Sequence, residues 1–152
     1  FPAMTGTFFR APLAAGTAMT LVLDTTALLG RYLTGPHRAV VLEAMADDPT
    51  WCASALALAE ALPLVDRVTE SATDRDRLRR ALRDDWERIH VVPVDALCLD
   101  RAAELARAQP LRTVDALHLA AADRLPPPVR FVTFDPRQIP VALALGYEVA
   151  ST

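Results

Sequence analysis

From residue 19 onward, short apolar runs alternate with helical stretches, and that alternation leaves few folds open. Leu21-Val22-Leu23, Trp51 to Ala53, Ile89 to Val92, Val129 to Phe134 and Tyr147 to Ala150 read as strands. Between them, Pro36 to Ala46 reads as a helix with proline in its first turn. Ser54 can cap a helix through Leu62. Asp74 to Arg88 is amphipathic, a solvated face laced with ion pairs, and Val94 to Ala108 is helical. Thr113 caps a helix to Ala122, and a helical turn from Val141 to Leu145 stops at Gly146. Strand, helix, strand, helix predicts an α/β domain: three layers, with a five-stranded parallel sheet between two sets of helices. In such sheets ligands sit outside the carboxyl ends of the strands, near the switch in strand order. The residues that end the strands are therefore the ones to inspect.

At 152 residues the chain is one ordinary domain. Residues 1–18 are small-residue rich and unpatterned, expected to be an N-terminal extension or an expression remnant, with the domain at 19–152. Phe1 is not an initiator methionine, and Met19 is a candidate start. No uncharged apolar run approaches the ~18 residues of a membrane span. With no convincing signal peptide, and with Cys52 and Cys98 in apolar surroundings, a reduced thiol pair in the cytoplasm is expected. All sixteen basic residues are arginine. The absence of lysine excludes a P-loop phosphate lysine, a Schiff-base lysine and a receiver-domain lysine. The net charge of −3 provides no global positive field, so a polyanion would have to be met by local arginines or by bound cations.

Two strands end in aspartate: Leu21-Val22-Leu23-Asp24, followed by Thr25-Thr26, and Phe131-Val132-Thr133-Phe134-Asp135. In a parallel sheet both carboxylates project at one edge, although each alone could equally be a helix cap. Glu60 is the only charge between Cys52 and Val65, and Asp115 is nearly as isolated within Thr113 to Ala122. An unpaired buried carboxylate costs several kcal/mol, so acids in such surroundings are usually paired or metal-bound. Two carboxylates about 4 Å apart repel by about 4 kcal/mol at an effective dielectric near 20, so a cluster of four needs a cation. Carboxylate oxygens suit Mg²⁺ or Mn²⁺ rather than zinc. Such an ion binds phosphate and activates water, which suggests phosphodiester hydrolysis.

The sequence Leu23-Asp24-Thr25-Thr26-Ala27-Leu28 resembles the opening motif of PIN-domain ribonucleases, in particular the VapC-type toxins of bacterial toxin–antitoxin pairs. Ser54 with Glu60, Leu111 to Ala120, and Phe131 to Asp135 followed by Ala142 to Gly146 resemble the later motifs, all in order between about Met19 and Val149. The resemblance implies a PIN-like sheet with Asp24, Glu60, Asp115 and Asp135 converging on Mg²⁺ or Mn²⁺. It implies endonucleolytic RNA hydrolysis by a metal-activated water, a homodimer, and a cognate antitoxin whose C-terminal segment blocks the site. The fourth acidic position varies most in this family, and the leader before Met19 departs from it.

Around the acids, Thr25 or Thr26 is a candidate to hold Asp24, and Thr133 to act beside Asp135. Arg112 is a candidate for substrate phosphate or for pairing with a site carboxylate, with Arg31 and Arg137 as weaker ones. His118 shares a helix face with Asp115 and reads as a packed or surface histidine, with transition-metal binding as the alternative. Two other functions fit parts of the pattern. A haloacid-dehalogenase-like phosphatase would use Asp24 as nucleophile, but it lacks the second aspartate two residues on and the lysine. A non-catalytic module would use the same acidic groove only to bind.

Overall fold

A computed structural model describes the backbone of residues 7–9 and the whole of 19–152. Its strands are β1 (Thr7–Phe9), β2 (Thr20–Leu23), β3 (Thr50–Ser54), β4 (His90–Val92), β5 (Val129–Val132) and β6 (Glu148–Ser151). Its helices are α1 (Thr25–Gly30), α2 (Pro36–Asp47), α3 (Ala55–Val68), α4 (Ala72–Trp86), α5 (Ala96–Ala108), α6 (Thr113–Ala122) and α7 (Ile139–Ala144). The sheet order is β1-β6-β5-β2-β3-β4. The five strands from β6 to β4 are parallel, as the alternation predicts, with Leu21 beside both Trp51 and Arg130. A sixth strand, β1, lies antiparallel on β6, pairing Phe8 with Ala150. It comes from the leader that the sequence reading set aside; the other leader residues, 1–6 and 10–18, lie outside the described residues.

Alternate side chains of each strand feed two separate cores, as the two-residue period requires. Leu21, Leu23, Ala53 and Val132 pack with α1 to α4 through Leu28, Val41, Ala57, Val65 and Leu82. Val22, Cys52, Phe131 and Val149 pack with α5 to α7 through Cys98, Leu105, Ala116, Leu119 and Ala142. Both cysteines are free and buried. Among the described residues, no helix is long and apolar enough to cross a membrane.

Several element ends differ from the sequence reading, each for a local reason. The helix after Ser54 does not stop at Leu62 but runs through Pro63 to Val68. Pro63 is exposed, while Ala57, Ala61 and Val65 anchor the opposite face. Ser71 caps α4 by accepting from the Asp74 amide at 3.1 Å, so that helix begins two residues early. Asp95, not Val94, opens α5. The N-cap of α6 is Arg112 rather than Thr113. Just past β5, Thr133 N still donates to Ala150 O at 3.2 Å, but the following amides turn to side chains: Phe134 N donates to Thr26 Oγ1 at 3.0 Å and Asp135 N to Thr133 Oγ1 at 3.1 Å.

From β2 the chain crosses first to β3 and β4, then back to β5 on the other side of β2. The switch in strand order therefore falls at β2 and β5, and their carboxyl ends carry Asp24 and the Thr133–Asp135 segment.

Candidate active site

Asp24 leaves β2 and caps α1 in one residue. Its Oδ1 accepts from the Ala27 amide at 2.8 Å and from Thr26 Oγ1 at 2.7 Å, and its Oδ2 accepts from Thr133 Oγ1 at 2.6 Å. The residue is only 1% exposed. All three donors are neutral, and no arginine touches the carboxylate among the described residues. Burial pushes its pKa up, against the pull of the Thr133 and Ala27 hydrogen bonds and the nearby His118. Of the two roles open in the sequence, the structure shows the cap on α1.

Asp115 is compensated in the opposite way. It lies in the first turn of α6, and Arg112 grips it with a fork: Nε to Oδ2 and Nη2 to Oδ1, both at 2.9 Å, with the Arg112 amide adding a bond to Oδ2 at 3.2 Å. The same Nη2 reaches Asp135 Oδ2 at 2.8 Å. Those two carboxylate oxygens are thus no farther apart than these two bonds laid end to end. Burial pushes the Asp115 pKa up, but the Arg112 hydrogen bonds and charge outweigh it and hold the group below the usual carboxylate range. The Arg112 guanidinium is correspondingly held above its ordinary value, by Asp115 first, with Asp135 and Glu60 adding to the field.

Glu60 comes from the middle of α3. Its Oε1 accepts from Thr25 Oγ1 at 2.6 Å and lies 2.8 Å from His118 Nε2. His118 Nδ1 lies 3.3 Å from Ser54 Oγ, which also accepts from the Leu56 amide. Thr25 Oγ1 is also 3.1 Å from His118 Nε2, so Thr25, Glu60, His118 and Ser54 form one connected set. Burial pushes Glu60 up, and the bonds from His118 and Thr25 bring it below its ordinary value.

The acidic residues read from the sequence therefore reach one end of the sheet from four different elements, linked as two halves. Arg112 joins Asp115 to Asp135, and the neighbours Thr25 and Thr26 join Glu60 to Asp24. Of the two threonines read as candidates to hold Asp24, Thr26 does so, and Thr25 holds Glu60 instead. Thr133 bridges the strand ends, donating to Asp24 and accepting from Asp135 N. Arg31 lies elsewhere, bonded to Asp85 at 2.8 Å. Arg137 contributes its backbone amide to Asp135 Oδ1 at 2.9 Å.

Of two further participants, His118 was read from the sequence as packed or surface and Gln138 was not singled out. His118 is packed, 2% exposed, but its ring is a working member of the Glu60 cluster; its place three residues after Asp115 was the signal. Gln138, 2% exposed, donates from Nε2 to Asp115 Oδ1 at 3.1 Å. No local pattern marks it, because only the turn after Asp135 brings it there.

Among the described residues, no group of three or more His, Cys, Asp or Glu side chains is arranged to hold a metal ion as it stands. The Arg112 guanidinium occupies the space between Asp115 and Asp135 as an internal cation, and both Asp24 oxygens are turned onto neutral donors. The donor chemistry nonetheless fits a hard divalent ion. The oxygens are carboxylate, and Asp24 is a buried anion with no arginine partner, the condition a bound cation relieves.

In a comparison with solved structures, the fold is similar to that of FitAcB from Neisseria gonorrhoeae, with a TM-score of 0.67 and 16% identity over 86% of this chain and 96% of that one. It is also similar to VapC20 from Mycobacterium tuberculosis, described as a sarcin-ricin loop cleaving toxin, with a TM-score of 0.65 and 17% identity over 80% and 95%. DNA-bound VapBC from Salmonella typhimurium gives 0.63 and 19% over 88% and 98%. No curated protein matches at the level of sequence. The PIN domain model matches residues 21–142, which run from β2 through Asp24, Glu60, Asp115 and Asp135 into α7. The chain belongs to the PIN domain family, whose nucleases generally work with divalent metal ions.

Proposed function

We propose that this protein is a Mg²⁺- or Mn²⁺-dependent endoribonuclease, the VapC-type toxin of a toxin–antitoxin pair acting in the cytoplasm as a homodimer. The observation that supports the reading is that Asp24, at the carboxyl end of β2, is buried with no arginine partner among the described residues and is linked through Thr133 to the segment that carries Asp135, which Arg112 joins to Asp115. Asp24, Asp115 and Asp135, with Glu60, would hold the divalent ion, which when bound would screen the phosphate charge and activate the water that leaves a 5′-phosphate.

The chain's own groups supply positioning. Thr26, Thr133 and the α1 amide fix the Asp24 carboxylate in one rotamer. His118 and Thr25 hold Glu60 ionised and oriented. Arg112, with 58% of its side chain exposed at the mouth of the site, is placed to exchange its carboxylate partners for a phosphate. Glu60 is engaged by Thr25 and His118 rather than turned wholly to solvent, which removes the feature that would favour a purely binding module. Toxin–antitoxin complexes among the fold relatives support a cognate antitoxin as partner, and its C-terminal segment would cover the acidic site.

The purified protein is expected to cut RNA in Mg²⁺ or Mn²⁺, to stop in EDTA, and to leave 5′-phosphates on end mapping. Asp24→Asn and Asp115→Asn each reduce the rate by at least about 100-fold. Cleavage at full rate by Asp24→Asn, or in EDTA, overturns the reading.

A further inference from the structure

A cavity of about 420 Å³ lies between α1, the turn after it and the start of α2, directly beside the acidic site. Leu29, Leu33 and Pro36 give it apolar walls, while Thr26, Thr34 and His37 supply its polar side chains. Size and lining are those of a small-molecule pocket: mostly apolar, with a few groups to orient a ligand.

Three observations join this cavity to the reaction centre. Thr26 belongs to both, lining the cavity while donating to Asp24 Oδ1 at 2.7 Å and accepting from Phe134 N at 3.0 Å. His37, on the cavity wall, is stacked on Phe134 with ring centroids 3.8 Å apart and planes 3° from parallel. Phe134 is the residue between Thr133 and Asp135, so the ring stack is continuous with the carboxylate cluster. Gly30 makes this packing feasible: a Cβ there would stand 3.2 Å from Val41 Cγ2 and 3.4 Å from both His37 Cβ and Phe134 Cε2.

Single-stranded RNA is recognised largely by splaying out unpaired bases and stacking them on aromatic and histidine rings. A chain with a net charge of −3 has little general attraction for RNA to rely on, so base stacking is the available source of affinity. We infer that the cavity between α1 and α2 is a nucleobase subsite, in which an unpaired base next to the scissile phosphate enters against His37 and is oriented by the Thr26 and Thr34 hydroxyls. This inference rests on the proposed ribonuclease activity and adds where the substrate's base is held.

The test uses a short single-stranded RNA whose cleavage position has been mapped, remade with an abasic nucleotide at each position flanking the cut. With the wild-type protein in Mn²⁺, one abasic position lowers kcat/KM by about 10-fold. His37→Ala, which removes the platform, lowers kcat/KM on the intact RNA by a similar factor and shrinks the abasic penalty to under about 2-fold. Thr34→Trp, which fills the cavity from an exposed turn and leaves the platform in place, does the same. A flat abasic series with wild type overturns the inference, and that is the result if the cavity receives a protein side chain instead. A full abasic penalty retained in both variants overturns it too.

A second measurement needs no cleavage. In EDTA, the same RNA carrying 2-aminopurine at the sensitive position is quenched on binding wild type and not on binding His37→Ala; equal quenching by both overturns the subsite. If no RNA is cut at all, the ribonuclease reading fails. The fluorescence comparison, run at each position in turn, still decides whether a base enters the cavity.

Discussion

Replacing Thr133 by valine separates the hydroxyl from the volume it occupies. Thr133 is fully buried, so valine keeps the packing and removes only polar contacts. Two are lost: the 2.6 Å bond donated to Asp24 Oδ2 and the 3.1 Å bond accepted from Asp135 N. A hydrogen bond to an ionised group is worth about 1.5–3 kcal/mol, and an ordinary one about 0.5–1.5. Asp135 is only partly buried, so its amide recovers some of its bond from water. Where Asp24 is ionised, the expected loss is about 2–4 kcal/mol, or roughly 5–12 °C in Tm for a chain of this size. Thr133→Ser keeps the hydroxyl and loses one methyl, at about 1 kcal/mol. The order of stability is therefore wild type, serine, valine, the reverse of what hydrophobicity alone gives for the two variants.

The gap must also depend on pH. Burial, as the largest cause, holds the Asp24 carboxyl above its ordinary value of 3.8 in the folded state. Between 3.8 and that raised value the folded state holds more protons than the unfolded, so stability falls as pH rises. The Thr133 bond favours the charged form and opposes that fall. The wild-type–valine difference is then small where Asp24 is protonated in both states and opens as pH rises through the folded pKa. Urea denaturation of the metal-free protein at a series of pH values measures it. A gap between wild type and valine that stays within about 0.5 kcal/mol across the whole pH series, or a valine variant more stable than serine where Asp24 is ionised, refutes the reasoning.

Asp85→Ala removes the acceptor shared by Arg31 Nε and Tyr32 Oη, each at 2.8 Å, and by Arg88, and should cost about 2–4 kcal/mol in urea denaturation. Burial pushes Asp85 up, but the bonds from Arg31, Tyr32 and Arg88 bring it below 3.8, so the stability it supplies is present above that value and disappears as pH falls through the folded pKa; acid titration of both proteins should close the gap there. Pro63→Ala should raise Tm, by about 1–2 kcal/mol in stability, because an exposed proline inside α3 removes a helical hydrogen bond and part of that cost is already offset in the unfolded chain. Millimolar Mn²⁺ should raise the Tm of wild type but not of Asp24→Asn, as mass action on a folded-state site requires, and EDTA should reverse it.

The architecture was legible because parallel strands buried on both faces leave short apolar runs, and helices between them leave a longer period. Boundaries were less so. Leu62 looked like a helix end because Pro63 follows it, yet the apolar stripe of Ala57, Ala61 and Val65 continues beneath the proline, and tertiary packing overrides the missing amide. Helix α1 went unremarked because its six residues are nearly all buried and show no polar face to set a period. Phe134 looked like strand because it is apolar; its amide instead satisfies Thr26, a pairing only the sheet edge brings about.

The acids themselves stood out for a physical reason: a lone carboxylate in an apolar run is costly unless something compensates it. What compensates each one was beyond reach of the sequence. Arg112 was a candidate for phosphate or for a carboxylate, and its fork reaches both Asp115 and Asp135 because the β5 end folds back toward the start of α6. The Glu60 partners Thr25 and His118 come from 35 and 58 residues away. Asp24 is the exception that gives the site its direction. Asp115 and Asp135 share the Arg112 guanidinium and Glu60 has His118, while among the described residues Asp24 is held by neutral donors that orient it without neutralising it. Desolvation of a carboxylate held in this way is relieved by a ligand that carries the opposite charge, and Asp24 is accordingly the residue at which adding a cation should change the protein most.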